Sequence, residues 1–160
     1  MKMLTPDIVY GNVYDIRPED VRSWGVDAIV VDIDGTLARK NQPDPPEKTT
    51  AWLHAIKESG ISVMALSNNR SFKRVSRFCR DLGIEYIHFA GKPFKKAFLT
   101  AQKILGMSCD KIAVIGDQIF TDVLGGNRMG MKTVFVGTMD KGLIVNIRLF
   151  FERPFIKPKN

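Results

Sequence analysis

The stretch 28–37 constrains the fold of this chain more than any other. An unbroken apolar run over 28–31 is followed directly by Asp32, Asp34 and Gly35. Such a run is typical of a strand buried on both faces of a parallel sheet, and the glycine is expected to end it. Both carboxylates then lie at the carboxyl end of a central strand, where open α/β sheets bind their ligands. The same residues are also compatible with an ordinary Asp-Gly turn.

The rest of the chain alternates strand patterns with helix patterns, which predicts a Rossmann-like, doubly wound, mainly parallel α/β sheet. About five strands are expected, at 28–31, 61–66, 84–89, 111–115 and 131–136. The helix predicted over 93–105 should bury an apolar stripe that includes Phe94 and Ile104. Residues 1–17 show little pattern and are expected only to cover one flank of the core. The length of 160 residues predicts one domain over 1–160.

The charge of the chain indicates which classes of partner it can bind, and its cysteine content indicates the cellular compartment. Lys and Arg total 24 against 17 Asp and Glu, so the net charge is +7. This balance favours anionic partners, namely phosphate esters, nucleic acid or an acidic membrane surface, without choosing among them. Cys79 and Cys109 have no metal-like spacing, which favours a reducing cytoplasm. No apolar run approaches the roughly 18 residues that a membrane span needs.

Polar residues that suit one anion follow four successive strands. They are Asp32 and Asp34, then Ser67 and Asn68, then Lys92, then Asp117 and Asp122. Right-handed crossovers should bring these strand ends to one edge of the sheet. Three carboxylates near a phosphate would repel it, so a divalent cation is needed, and Mg²⁺ suits carboxylate and phosphate oxygens. Taken singly, each residue has an ordinary explanation as a solvated lysine, a turn residue or a helix cap.

These segments resemble, in order, the four motifs of the haloacid dehalogenase (HAD) superfamily. The matching stretches are 32–37, 66–69, 92–93 and 116–122. The resemblance implies that Asp32 attacks phosphorus and becomes an aspartyl phosphate. It also implies that Asp34 protonates the leaving oxygen and then deprotonates water.

The same resemblance implies the remaining site residues. Phosphate oxygens would be held by Ser67, Asn68, Lys92 and Arg70. Mg²⁺ would be bound by the Asp32 carboxylate, the Asp34 main-chain carbonyl and Asp117, with Asp122 close by in a supporting role. Arg39, Lys40 and Arg70 lie in loops near this predicted cleft, where they can attract an anionic headgroup or serve as solvated loop charges.

HAD enzymes usually gain selectivity from an inserted cap, and this chain has no room for one. Only 29 residues separate Leu37 from Ser67, and 22 separate Asn69 from Lys92. A capless, open cleft is therefore expected. Such a cleft favours a phosphate on something large, such as a protein, a nucleic acid end or a lipid headgroup.

A finer resemblance is to the YqeG family of HAD subclass IIIA, which includes the mitochondrial phosphatidylglycerophosphate phosphatases. It is carried by 67–70, 91–98 and 116–128, with one departure at Gly35, where that family usually has Asn. It implies a Mg²⁺-dependent phosphatidylglycerophosphate phosphatase. Two alternatives stay open: a HAD phosphatase on another large phosphoester, and a non-catalytic basic module that binds RNA or a ribosome. No RNA-binding motif is visible, so no nucleic acid partner is expected.

The segment 141–159 mixes cations with large apolar residues. A segment of this kind can lie on an anionic membrane surface. It can equally form a final helix that packs its apolar face on the core and turns its cations outward. The expected location is the cytoplasm, with peripheral contact to the inner face of the membrane left open.

Overall fold

The computed structural model describes residues 2–159. Its centre is a sheet of six strands in the order β1-β6-β5-β2-β3-β4, and every neighbouring pair is parallel. The strands are β1 (Ile8–Tyr10), β2 (Ala28–Val31), β3 (Ser62–Leu66), β4 (Glu85–Ile87), β5 (Ile112–Gly116) and β6 (Lys132–Val136). The predicted parallel α/β fold is therefore confirmed, with β2 in its interior.

The helices are α1 (Pro18–Ser23), α2 (Glu47–Glu58), α3 (Phe72–Leu82), α4 (Lys95–Leu105), α5 (Leu124–Met129) and α6 (Leu143–Glu152). A π-helical turn, Ile119–Val123, leads into α5. The Ser71 hydroxyl accepts a hydrogen bond from the Arg74 N–H at 3.2 Å and so caps α3. Gly83, with φ of 63°, ends α3 in the left-handed conformation that glycine adopts without strain.

Both faces of the sheet are covered, because alternate residues of β2 pack into different clusters. Ile29 belongs to one cluster, together with Phe78 of α3. Val30 belongs to another, together with Phe98 of α4. This is why β2 is apolar at every position rather than at every second one.

The register of the central strands places their carboxyl ends side by side. Val31 pairs with both Ala65 and Ile115. The Asp32 N–H continues the ladder by donating to the Ile115 carbonyl at 2.9 Å. The first polar residue after β2 is thus held level with the ends of both neighbouring strands.

The structure differs from the sequence-based expectations in three places. An additional edge strand, β1, lies in the N-terminal segment that showed little pattern. Phe94 and Ile104, predicted to be buried, are 69% and 50% exposed, because Phe94 precedes α4 and Ile104 lies on its outer face. The third difference is α6, whose orientation is opposite to the one expected for a helix packed on the core.

In α6 the polar face is turned inward. The Arg148 guanidinium lies against the Asp117 carboxylate, and Glu152 is buried. One of the two alternatives for this segment placed its large apolar residues in the core. They are exposed, namely Leu143, Ile144, Ile147, Phe150 and Phe151.

The connections after the first two motif strands are short. Between Leu37 and Ser67 the chain forms a loop, α2 and β3, and between Asn69 and Lys92 it forms α3 and β4. The structure therefore has no cap domain in either interval, as the spacing predicted. Within residues 2–159, none of the helices combines the length and the apolar character that crossing a bilayer requires.

Candidate active site

Four charged side chains converge in the interior at the carboxyl edge of the sheet. We call Asp32, Lys92, Asp117 and Asp122 the inner cluster. All four are buried, with at most 7% of each residue exposed. Charged groups are seldom buried to this extent unless they are paired or hold an ion. These four residues were expected from the sequence to lie close together, and the structure brings them together.

Lys92 is the only cation of the inner cluster. Its Nζ lies 2.7 Å from Asp32 Oδ1 and 2.7 Å from Asp122 Oδ1. Asn68 fixes the main chain at this point, because its Oδ1 accepts from the Lys92 N–H at 2.8 Å and its Nδ2 donates to the Lys92 carbonyl at 3.1 Å. Asn68 was expected to bind phosphate, yet both polar atoms of its side chain are engaged in holding Lys92.

The three carboxylates of the inner cluster are close enough to share one cation. Asp32, Asp117 and Asp122 each offer an oxygen, and these oxygens lie within 4.8 Å of one another. Asp32 was expected to be a metal ligand together with Asp117, and Asp122 to stand beside them. Asp122 lies close to both, and its Oδ1 is 2.7 Å from Lys92 Nζ.

The electrostatics of the trio also fit a divalent cation. Burial raises the pKa of Asp32 to about 6 and the pKa of Asp122 to about 6, although Lys92 acts in the opposite direction on both. Burial, and then the nearby Asp122 carboxylate, raise the pKa of Asp117. Burial acts to lower the pKa of Lys92, but Asp122 and Asp32 outweigh it and raise that pKa. Lys92, together with Arg148 at Asp117, therefore compensates the trio only in part, because two cations face three carboxylates. Hard oxygen donors of this kind suit Mg²⁺.

Asp117 is positioned by the turn that follows β2. The Thr36 hydroxyl donates to Asp117 Oδ1 at 3.2 Å. Gly35 has φ of 92°, and a Cβ at this position would overlap the Asp117 carboxylate. Thr36 lies inside the first motif, but the sequence alone assigned it no role.

Asp122 reaches the cluster because Gly116, at the end of β5, has no side chain. A Cβ at position 116 would overlap the Asp122 side chain. The π-helical turn brings Asp122 back over the strand end, and Asp122 Oδ2 accepts from the Gln118 N–H at 3.3 Å. The fold thus requires a residue without a side chain at position 116, so that the Asp122 side chain can pack against it.

Asp34 lies apart from the inner cluster, at its outer side. Its Oδ1 forms an ion pair with Arg74 Nη2 at 2.7 Å, and its Oδ2 accepts from Asn69 Nδ2 at 3.0 Å. We call Asp34 and Arg74 the outer pair. Their side chains are 19% and 12% exposed, so they are more accessible than the inner cluster.

An open cavity of about 580 Å³ reaches one member of each group, namely Asp32 of the inner cluster and Asp34 of the outer pair. Its lining includes Asp32, Asp34, Ser67, Asn68, Asn69, Arg70, Lys40 and Arg148. The buried Ser67 hydroxyl accepts from the Asn69 N–H at 3.1 Å. Of the three loop cations noted in the sequence, Arg70 and Lys40 line this cavity and Arg39 does not.

Two arginines of the site were not identified from the sequence. Arg74 stands among the apolar positions of a helical pattern, where a charge usually marks the solvated face. Arg148 of α6 donates from Nη2 to Asp117 Oδ2 at 3.1 Å, although it lies 31 positions away. From the sequence, the residues around Arg148 were recognised only as a basic segment rich in aromatic residues.

Two protein-family models match long segments of this chain. A family model described as haloacid dehalogenase-like hydrolase matches residues 29–96. A second, described as HAD-hydrolase-like, matches residues 89–141. The two matched ranges together contain every residue of the inner cluster and the outer pair.

A curated relative matches most of the chain. It is the protein named probable phosphatase YqeG of Bacillus subtilis (strain 168), which is 39% identical over 135 residues, covering 84% of this chain and 78% of the relative. Identity at this level over this length shows common family membership.

Solved structures support the fold. An uncharacterized protein from Listeria monocytogenes serotype 4b aligns with a TM-score of 0.60 at 18% identity, covering 74% of this chain and 85% of that one. The 3-deoxy-D-manno-octulosonate 8-phosphate phosphatase of Moraxella catarrhalis, solved with magnesium, phosphate and a KDO molecule, aligns with a TM-score of 0.54 at 18% identity, covering 86% and 94%. Together with the family models and the curated relative, these findings show that the chain belongs to the YqeG family of haloacid dehalogenase-like phosphatases.

Proposed function

We propose that this phosphatase acts through an aspartyl phosphate on Asp32 and that its substrate is phosphatidylglycerophosphate. One observation carries the chemistry: the Asp32 carboxylate lines an open cavity and has Lys92 at 2.7 Å. Lys92 engages Oδ1, and Oδ2, which makes a long contact of 3.5 Å with the Thr36 hydroxyl, is the oxygen that attacks phosphorus. Burial favours the attack, because a poorly solvated carboxylate sheds little water on reacting.

The first half-reaction transfers the phosphoryl group to the protein. A bond forms between Asp32 Oδ2 and phosphorus while the bond from phosphorus to the ester oxygen breaks. The ester oxygen keeps that electron pair and takes a proton from Asp34. Asp34 suits this task because it lines the cavity and is held at its edge by Arg74 and Asn69.

The second half-reaction releases phosphate. Asp34 accepts a proton from water while the water oxygen bonds to phosphorus. The bond between phosphorus and Asp32 Oδ2 breaks, the carboxylate is restored, and inorganic phosphate leaves. Asp34 thus regains the proton that it gave to the leaving oxygen.

Lys92 and the Ser67 hydroxyl are proposed to hold phosphate oxygens, and Arg70 is proposed to attract the incoming anion. Mg²⁺ would be held by the Asp32 carboxylate, the Asp34 main-chain carbonyl and Asp117, with Asp122 supporting the site beside Lys92. When bound there, it neutralises charge on the phosphate and on the three carboxylates. Asn68 acts by positioning Lys92.

The lipid part of the proposal rests on three features. The cavity has no cap above it, the protein carries a net charge of +7, and the finer resemblance is to a family that includes phosphatidylglycerophosphate phosphatases. An uncapped site can accept a headgroup that remains in its bilayer, whereas a free metabolite would be poorly enclosed. We propose that residues 1–160 act as one HAD-like domain at the cytoplasmic face of the membrane.

The test is phosphate release from vesicles that contain phosphatidylglycerophosphate, compared with nucleotides, a phosphopeptide and a 3′-phosphorylated RNA. We expect release from the vesicles to be fastest and to fall at least about 1000-fold in Asp32→Asn. Asp27→Asn is the matched control, since Asp27 is exposed and directly precedes the same strand. Equal rates on every ester would overturn the lipid assignment. Full activity in Asp32→Asn would overturn the mechanism.

A further inference from the structure

Helix α6 exposes an apolar stripe next to the cavity. Five of its large side chains are 50–84% exposed: Leu143, Ile144, Ile147, Phe150 and Phe151. They are spaced at one and at three to four residues, so they share one face of the helix. A helix on the surface of a globular protein normally buries such a face.

The orientation of α6 is set by polar contacts on its opposite face. Arg148 Nη2 donates to Asp117 Oδ2 at 3.1 Å, and Glu152 Oε1 accepts from the Ile119 N–H at 2.9 Å. Rolling the helix to bury the apolar stripe would break both contacts. It would also leave the carboxylate of Glu152, which is now buried, without its donor.

The fully exposed charges around the stripe are positive, whereas the half-buried Asp140, which lines the same cavity, accepts from the Lys40 N–H at 2.7 Å. The only acidic residue of α6 is Glu152, and it faces inward. The exposed ionic residues that flank the helix are Lys141, Arg153 and Lys157. An apolar stripe flanked by cations and free of exposed acids complements an anionic lipid surface.

Three exposed phenylalanines lie in the segments that follow β3 and β4, at the same edge of the sheet as the cavity. Phe72, Phe89 and Phe94 are each more than half exposed. The Phe89 N–H donates to the Asn69 carbonyl at 2.8 Å, and the Arg70 guanidinium lies 5.1 Å from the centre of the Phe89 ring. Because Asn69 and Arg70 line the cavity together with Ile144 of α6, both Phe89 and the stripe adjoin its opening.

We propose that the stripe on α6 and the three phenylalanines form a docking surface for an anionic lipid bilayer. Their apolar side chains would enter the interfacial region, while the flanking cations pair with lipid phosphates. A bilayer is favoured over a second copy of this chain because two such surfaces would bring like charges together. This inference rests on the proposed lipid phosphatase function, because the docking surface would hold the cavity at the level of the lipid headgroups.

Flotation with substrate-free vesicles tests the docking surface. The protein of residues 1–160 should bind vesicles of phosphatidylglycerol and phosphatidylcholine. It should bind pure phosphatidylcholine more weakly, and binding should fall as salt rises. The triple variant Ile147→Ser, Phe150→Ser, Phe151→Ser should lower the partition coefficient by about 100-fold. The double variant Leu99→Ser, Ile104→Ser is the matched control, because it removes exposed apolar residues of α4 and should bind like the wild type.

A second variant addresses the other side of the opening. Phe72→Ser with Phe94→Ser should lower the partition coefficient by about tenfold, since two exposed rings are removed. Equal binding by wild type and both test variants would overturn the proposal. A wild-type dimer in sedimentation that the α6 substitutions dissociate, without vesicle binding, would show that a second copy covers α6.

Hydrolysis of p-nitrophenyl phosphate by the wild type, measured in parallel, separates this proposal from the proposed function. Protein that hydrolyses this soluble ester but fails to float has a phosphatase site and no lipid docking surface. Protein that floats without hydrolysing any ester keeps the docking surface and overturns the enzymatic proposal.

Discussion

The inner cluster and the outer pair place two aspartates, only two residues apart, in different surroundings. Asp32 is buried with Lys92 and two further carboxylates, whereas Asp34 faces the cavity and pairs with Arg74. A strand end can thus send one carboxylate inward and the next outward when a glycine turn follows. Different surroundings are what separate a nucleophile from an acid and base in one site. The following substitutions test this division, from the largest expected effect to the smallest.

Lys92→Ala should have the largest effect, because it leaves the buried carboxylates without their ammonium. We expect the free energy of unfolding to fall by about 3–5 kcal/mol, measured by urea titration without Mg²⁺. Phosphate release should be lost as well. Lys103→Ala, an exposed lysine of α4, is the control and should unfold like the wild type. Unchanged stability in Lys92→Ala would mean that the inner cluster is not held by charge pairing.

Asp34→Asn should impair catalysis and leave stability nearly intact. We expect kcat to fall by about 100- to 1000-fold, the usual contribution of a general acid and base. The free energy of unfolding should change by less than about 1 kcal/mol, since the side chain is partly exposed. A loss of stability as large as that of Lys92→Ala would remove the distinction between the two regions.

Arg74→Met tests whether the outer pair positions Asp34. We expect kcat to fall by about tenfold with little change in KM, because the carboxylate loses its fixed orientation. Arg74→Lys should recover part of the rate. Arg77→Met is the matched control one turn along α3, since Arg77 pairs with Asp44 on the surface. A rise in KM alone would instead make Arg74 a substrate-binding residue.

Arg148→Met should have the smallest effect, and it concerns the link between α6 and the inner cluster. Arg148 places a positive charge 3.1 Å from Asp117, where it opposes a divalent cation. We expect the Mg²⁺ concentration at half of the maximal thermal shift to fall about threefold in the variant. An increase would mean that Arg148 orients Asp117 for the metal rather than competing with it.

The motif residues were predictable because topology alone brings them together. Each member of the inner cluster follows a parallel strand, or lies in the loop after one, and parallel strands end at a common edge. The burial of β2 on both faces could also be predicted, because its apolar run is unbroken. By contrast, β1 has only three residues, all partly buried at the sheet edge, and such a segment has too few positions to show a period.

The two arginines and the direction of α6 could not be read in the same way. Amphipathic spacing defines two faces of a helix but does not say which one meets the protein. For α6 the answer depends on Asp117 and Ile119, which lie about thirty positions earlier in the chain. Arg74 likewise acquires its role only when α3 is packed beside the turn that carries Asp34.

Gly35 has a practical consequence for anyone who would redesign this protein. Replacing unusual residues by those that relatives prefer is a common route to greater stability. The resemblance to the YqeG family implies asparagine at this position. Its Cβ would occupy the space that the Asp117 carboxylate fills here, at a backbone angle that side chains rarely adopt. Engineering for stability should therefore spare position 35, since a side chain there would displace the Asp117 carboxylate.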